Sequence, residues 1–105
     1  YILYLGTLEP RKGIPDLVAA WEILVDRDPE APDLVLAGGH GWGLGEILSR
    51  IAASSHRDRI HLPGYVTDGE AVELLRHAEL FVLPSEAEGF GLPLLEAGMI
   101  KLPIA

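Results

Sequence analysis

The sequence predicts an α/β fold, a doubly wound parallel sheet with helices on both faces. Two observations carry this. Short apolar runs of strand length alternate with amphipathic stretches of helical period along all 105 residues, the pattern of a parallel sheet covered on both sides. The stretches rich in glycine or charge, at 6–13, 38–45, 63–69 and 84–91, each follow an apolar run instead of preceding one. In such sheets ligands sit beyond the carboxyl ends of the strands. The four loops are therefore expected to meet along one edge.

Taken in order, Tyr1 to Gly6 is a short apolar run suited to a buried strand. The loop Thr7 to Gly13 follows. Pro15 to about Asp28 reads as a helix, with Leu17, Val18, Trp21, Leu24 and Val25 at helical spacing and Asp16 in the first turn. Pro29 and Pro32 close it, and Trp21 is expected in the core. Asp33 to Ala37 is the second strand, and Gly38 to Gly45 a glycine-dense loop. The next helix carries Leu44, Ile47, Leu48 and Ile51 on one face. Arg57 to Leu62 reads as a short third strand, turning at Pro63-Gly64. Thr67 and Glu70 have the spacing of a capping box, opening a helix with Ala71, Leu74, Leu75 and Ala78 inward. Ala78 to Leu83 is the fourth strand. Pro84 to Glu96 then gives a glycine-bearing turn and the start of a helix, with Pro93 in its first turn, and a fifth strand begins near the end.

Composition bounds the rest. The length allows at most one domain, spanning 1–105. There is no cysteine, hence no disulfide framework and no thiolate metal site. No stretch approaches the roughly 18 uninterrupted apolar residues of a membrane span. A net charge of −8 argues against a nucleic-acid or anionic-membrane surface. Tyr1 lies inside one strand pattern and Ala105 inside another, so the sequence is expected to be a piece of a longer protein.

The densest chemistry lies in Pro84 to Glu96, P-S-E-A-E-G-F-G-L-P-L-L-E. Glu88 and Glu96 are separated by seven residues, with Gly89 and Gly91 just after the first. Glycines let a ligand approach backbone N–H groups closely, and a helix start favours an anion such as phosphate. A carboxylate can hold a vicinal diol or stabilise positive charge on a sugar ring. The plainer reading makes Ser85-x-x-Glu88 a capping box, which Gly89, Gly91 and Pro93 disfavour. For Glu96 it is a solvated residue near the helix start. Arg11 and Lys12 are the only adjacent Lys/Arg pair. They suit a diphosphate, Arg through its forked donors and Lys as a point charge; the competing reading is a solvated pair bridged to Glu9 or Asp16.

E-G-F-G-L-P-L-L-E resembles the E-x7-E motif of the retaining, two-domain GT-B glycosyltransferases of family 4, the glycosyl transferases group 1. G-T-L-E-P-R-K-G is similar to that family's first loop, with Thr7 where many members carry Arg. Gly38-Gly39-His40-Gly41-Trp42-Gly43 resembles the G-x-x-G-W-G loop of a subgroup. The resemblance runs from Gly6 to Pro103 and departs near the end, where Lys101 replaces a turn glycine.

The resemblance implies a Rossmann-like domain, the truncated C-terminal half of a GT-B fold, whose N-terminal acceptor domain lies outside this sequence. The implied enzyme transfers a hexosyl or other glycosyl group from a nucleoside diphosphate sugar to an acceptor, with retention. Arg11, Lys12, Gly91 and Leu92 would bind the donor diphosphate, Glu96 the ribose, and Glu88, Gly89 and Phe90 the donor sugar. Glu88 would be catalytic, as nucleophile or as charge stabiliser. Main-chain groups near Tyr65 and Val66 would meet the nucleobase; a core role for both stays open. Trp42 packs over its loop or against the nucleotide. His40, His56, His61 and His77 show no ligand spacing, and Ser85 could donate to phosphate or cap locally. No cofactor and no metal are expected. Partners would be the sugar nucleotide and a carbohydrate or lipid-linked acceptor held by the N-terminal domain, with no nucleic acid and no transmembrane segment. The expected location is cytoplasmic, with any peripheral membrane contact in the full-length protein. The alternatives are a degenerate, non-catalytic nucleotide-binding or interaction module and a GT-B-type epimerase or phosphorylase. A dehydrogenase is disfavoured, because no G-x-G-x-x-G follows the first strand.

Overall fold

The computed structural model describes residues 1–10 and 13–82. These run β1 (Ile2–Leu5), α1 (Ile14–Arg27), β2 (Leu34–Ala37), α2 (Leu44–Ala52), β3 (Ile60–Gly64), α3 (Asp68–His77) and β4 (Leu80–Phe81), with a 3-10 turn at Arg57–Arg59 before β3. The strands form one sheet in the order β3-β2-β1-β4, and every pairing is parallel. The predicted α/β sheet is thus observed. The helix and strand expected after Leu83 lie outside the described residues.

Alternation along each strand explains why the runs are apolar throughout. Ile2, Tyr4, Leu34, Leu36 and Ile60 face one layer, with Ile14, Leu17, Val18, Trp21 and Val25 of α1 and Ile47 and Ile51 of α2. Leu3, Leu5, Val35, Ala37 and Phe81 face the other, with Leu75 of α3 and Ala78 just after it. Successive side chains point to opposite faces, so a strand covered on both sides has no place for a polar residue. Trp21 is 2% exposed, as the periodicity required. Its indole N–H donates to the Pro32 carbonyl at 2.9 Å, which joins α1 to the approach to β2. Truncating such a residue to Ala costs about 3–5 kcal/mol.

Three expectations are corrected, the first at Leu24, which shares the helical spacing of the inner residues of α1 and yet is 41% exposed. Leu48 was placed on the inner face of α2, but it is 44% exposed, and the buried positions are Ile47 and Ile51. It lies one residue round the helix from Ile47, at the margin of a narrow apolar stripe. The third strand does not begin at Arg57. Residues 57–59 form the 3-10 turn, and β3 continues through Pro63 to Gly64, where a turn was expected. The ladder explains the shift. Val35 pairs with His61 and Ala37 with Gly64, so three steps on β3 match two on β2. The extra residue makes a bulge, and β3 is the edge strand of the described sheet. Proline, which lacks an N–H, is tolerated at bulges and edges.

The arginines around β3 tie down the amino-terminal edge. Arg59 Nε donates to Asp33 at 2.8 Å, its Nη1 donates to the Pro29 carbonyl at 3.1 Å, and its Nη2 donates to the Ala31 carbonyl. Asp33 also meets His61 Nε2 at 2.9 Å. The His61 and Arg59 hydrogen bonds hold the Asp33 carboxyl below its usual range. On the same side of the sheet as α1 and α2, Arg50 forms a two-armed ion pair with Glu22.

Candidate functional site at the carboxyl edge

Backbone contacts gather the loops after β1, β2 and β3. The Gly6 N–H donates to the Ala37 carbonyl at 3.0 Å, and the Leu8 N–H to the Gly39 carbonyl at 3.1 Å. The Gly38 N–H donates to the Gly64 carbonyl at 2.9 Å. A parallel bridge joins Leu8 to His40. The sheet's pairing therefore extends beyond its strands into the loops, and three of the four predicted loops converge. The fourth, 84–91, lies outside the described residues.

Glycine makes this approach possible. A Cβ on Gly38, whose φ is +155°, would lie 1.7 Å from the Gly6 carbonyl oxygen. Gly43 has φ 80° and directly precedes α2, and Gly13, also at φ 80°, precedes α1. Neither helix start has a side-chain cap, so orphan N–H groups of its first turn are left for other acceptors. The third helix start differs. Thr67 caps α3 in a full capping box: the Glu70 N–H donates to Thr67 Oγ1 at 3.2 Å and the Thr67 N–H to Glu70 Oε1 at 2.9 Å. That spacing was legible in the sequence.

The converging segments enclose a cleft of about 340 Å³. Its walls are Leu5–Thr7, Ala37–His40, and Tyr65, Val66, Asp68 and Ala71 at the entry to α3. The volume falls at the lower end of the range for small-molecule sites. Polar side chains come from Thr7, His40, Tyr65 and Asp68; no Lys or Arg is among the described lining. Tyr65 is 79% exposed, so it is not a core residue. A Cβ on Gly39 would stand 3.9 Å from the Tyr65 ring, which places that ring beside the second loop.

Of the residues expected to bind a donor, Tyr65 and Val66 line this cleft. Arg11, Lys12, Glu88, Gly89, Phe90, Gly91, Leu92 and Glu96 lie outside the described residues, as do Ser85 and Lys101. His40 lines the cleft; Trp42 is 88% exposed and does not. Asp68 was not singled out from sequence. It follows the capping threonine, and the helix-start signal absorbed it. Among the described residues, no group of three or more His, Cys, Asp or Glu side chains could hold a metal ion. Among the same residues, no helix is long and apolar enough to cross a membrane.

Residues 1–105 match the family of glycosyl transferases group 1. The chain is 38% identical to O-antigen chain mannosyltransferase B of Escherichia coli over 104 residues, covering 99% of this chain and 27% of that protein. It is 32% identical to mannosylfructose-phosphate synthase of Agrobacterium fabrum, covering 91% of this chain and 22% of that one. It thus spans about a quarter of the length of these relatives. Among solved structures, the C-terminal domain of a group 1 glycosyl transferase (LpcC) from Francisella tularensis superposes with a TM-score of 0.81 at 23% identity, covering 98% of this chain and 55% of that one. Anabaena Alr3699/HepE, solved in complex with UDP, superposes with a TM-score of 0.79 at 23% identity, covering 98% and 28%. The match over its whole length shows that the chain belongs to the glycosyl transferases group 1 family, with the GT-B C-terminal fold of its structural neighbours.

Proposed function

We propose that this chain is the donor-binding half of a retaining family 4 glycosyltransferase, which moves a sugar from a nucleoside diphosphate to an acceptor. One observation carries the reading: in a group 1 chain, the loops after β1, β2 and β3 converge on one cleft at the carboxyl edge. That is where parallel α/β sheets bind nucleotides. The relative named as a mannosyltransferase makes mannose the first sugar to test.

Each residue has a chemical task in this reading. Departure of the nucleoside diphosphate leaves negative charge, which Arg11 and Lys12 would neutralise, with backbone N–H groups at Gly91 and Leu92 assisting. The uncapped start of α1, directly after the Arg11-Lys12 pair, adds favourable dipole. Glu96 would bind the ribose hydroxyls, and Gly89 and Phe90 would border the sugar. Glu88 would face the sugar, where positive charge develops at the anomeric carbon. The acceptor and the opposing wall would come from an N-terminal domain. Without that wall water enters the site, and the 105-residue piece alone is expected not to transfer sugar.

The test is a thermal-shift panel of UDP, GDP and ADP on the intact protein carrying this chain. A ligand that binds only the folded state raises its midpoint. At least one nucleotide should raise the wild type, and Lys12→Ala and Glu96→Ala should lose that shift. NMR of the released glycoside reports anomeric configuration, expected to match the donor. A wild type that no nucleotide shifts at millimolar concentration, or an inverted product, would refute the corresponding half of the proposal.

A further inference from the structure

We propose that Trp42 is a stacking platform for a neutral hexose unit of the acceptor glycan, with Glu46 beside it to accept from the sugar's hydroxyls. This rests on the donor-site reading above and extends it, adding a contact from this half of the enzyme to an acceptor held by the other.

Surface aromatics standing alone are common and need no ligand. Trp42 differs in how its backbone is held. Its side chain is largely exposed, yet the glycines on both sides of it press against the first loop. A Cβ on Gly41 would lie 2.2 Å from Glu9 Cγ, 2.6 Å from Thr7 Cγ2 and 2.8 Å from the Leu8 carbonyl oxygen. A Cβ on Gly43 would lie 2.9 Å from Pro10 Cδ. The Trp42 N–H donates to Glu9 Oε1 at 3.4 Å, and the bridge of Leu8 with His40 fixes the loop just before it. The indole is thus presented from a pinned backbone at the carboxyl edge. A group held this way gives up little backbone freedom when a ligand stacks on it. Trp42 does not line the cleft assigned to the nucleotide, which leaves the ring to a second ligand beside it.

The surroundings decide what stacks there. Glu9 lies under the Trp42 N–H, and Glu46 Oε2 lies 3.9 Å from the Cβ position of Gly43. The Glu46 carboxylate makes no hydrogen bond or ion pair with a described residue. Its competing role is with the dipole of α2, whose first turn it occupies; that role needs no ring beside it. Carboxylates repel anions and accept from donors, while the cations Arg11 and Lys12 are assigned above to the donor diphosphate. A purely apolar partner would desolvate both acids without pairing them. A hexose suits both features. The C–H groups on one face of its ring pack on the indole, and its hydroxyls donate to the carboxylates.

Tryptophan fluorescence of the intact protein tests this, with α-mannotriose, maltotriose and chitotriose as probes. Trp21 is buried, and the difference in emission between wild type and Trp42→Phe isolates Trp42 from every other tryptophan. That component should be readily quenched by acrylamide in the free protein, and at least one trisaccharide should protect it. In calorimetric titration, Trp42→Ala should weaken binding of that trisaccharide about threefold or more, and Glu46→Gln about twofold or more. Trp42→Phe should retain part of the affinity. In each variant the melting temperature, and its rise with UDP, GDP or ADP, should match the wild type. Protection by none of the trisaccharides, unchanged affinity in Trp42→Ala, or a Trp42 already shielded in the free protein by an interdomain contact would overturn the inference and leave the donor site standing. Loss of the nucleotide shift together with sugar binding in Trp42→Ala would make the residue merely structural and overturn it too. Absence of any nucleotide shift in the wild type would overturn the donor-site reading itself.

Discussion

Replacing Gly38 by alanine should disrupt the carboxyl edge more than a single methyl suggests. The added Cβ would lie 1.7 Å from the Gly6 carbonyl oxygen and 2.6 Å from its carbonyl carbon. Both are backbone atoms, so no side-chain rotation relieves the clash. Gly6 is itself held by its N–H bond to Ala37, and Gly38 by its own to Gly64. Overpacking costs about 1–3 kcal/mol, and holding a side chain at φ +155° costs about 1–3 kcal/mol more, so the local penalty is roughly 2–6 kcal/mol. A penalty of this size speeds exchange of the amides it releases by roughly 30-fold to roughly 20,000-fold. Hydrogen exchange on the intact protein, read at Gly6, Leu8 and residue 38, measures it. Gly69→Ala is the control: its site in α3 has nothing within 4 Å, and alanine there should stabilise by about 0.5–1 kcal/mol. If Gly38→Ala leaves exchange within threefold of wild type, the close approach of the two loops is wrong.

Other consequences are smaller. Thr67→Ala removes the acceptor for the Glu70 N–H and should destabilise α3 by about 0.5–2 kcal/mol, seen as faster exchange at Glu70 and Ala71; unchanged exchange there would deny the cap its role. Asp33→Asn should cost under about 1 kcal/mol at neutral pH, since the pair with Arg59 is partly exposed and screened. Because the folded-state pKa of Asp33 is lowered, its stabilisation is complete above the ordinary value of 3.8 and is lost as pH falls through the lowered value. The difference in melting temperature between wild type and Asp33→Asn should therefore close in acid; a gap that widened would reverse the sign assigned to the pair.

Much of the architecture was legible because period is a strong signal. The apolar runs at Ile2–Leu5 and Leu34–Ala37 have no polar interruption, and only a sheet covered on both faces uses such runs. Trp21 and the Thr67 capping box were equally readable, one from helical spacing and the other from a local hydrogen-bond pattern. Residues 57–64 were not. Arg59 is drawn to carbonyls at Pro29 and Ala31 and to the carboxylate of Asp33, partners 26 to 30 positions away that no local window contains. The Pro63-Gly64 pair carries turn chemistry, yet the edge position and bulge of β3 accommodate it. At the site, the convergence of loops followed from topology, and the exposure of Tyr65 and the cleft position of Asp68 did not. Both depend on where α3 enters relative to the second loop, a three-dimensional fact that spacing along the chain does not encode. The carboxylate pair Glu88 and Glu96 and the cations Arg11 and Lys12 fall outside the described residues, so their roles rest on chemistry and resemblance.

The central claim is that a nucleoside diphosphate occupies the carboxyl edge of this sheet. Photolysis of an azido-substituted nucleoside diphosphate on the intact protein, followed by mass-spectrometric mapping of the modified peptides, tests it most directly. The account predicts adducts in this chain at 38–40 and 65–71, competed away by unmodified nucleotide. Adducts confined to the amino-terminal edge, at 28–33 or 54–60, or labelling that unmodified nucleotide does not compete, would contradict it.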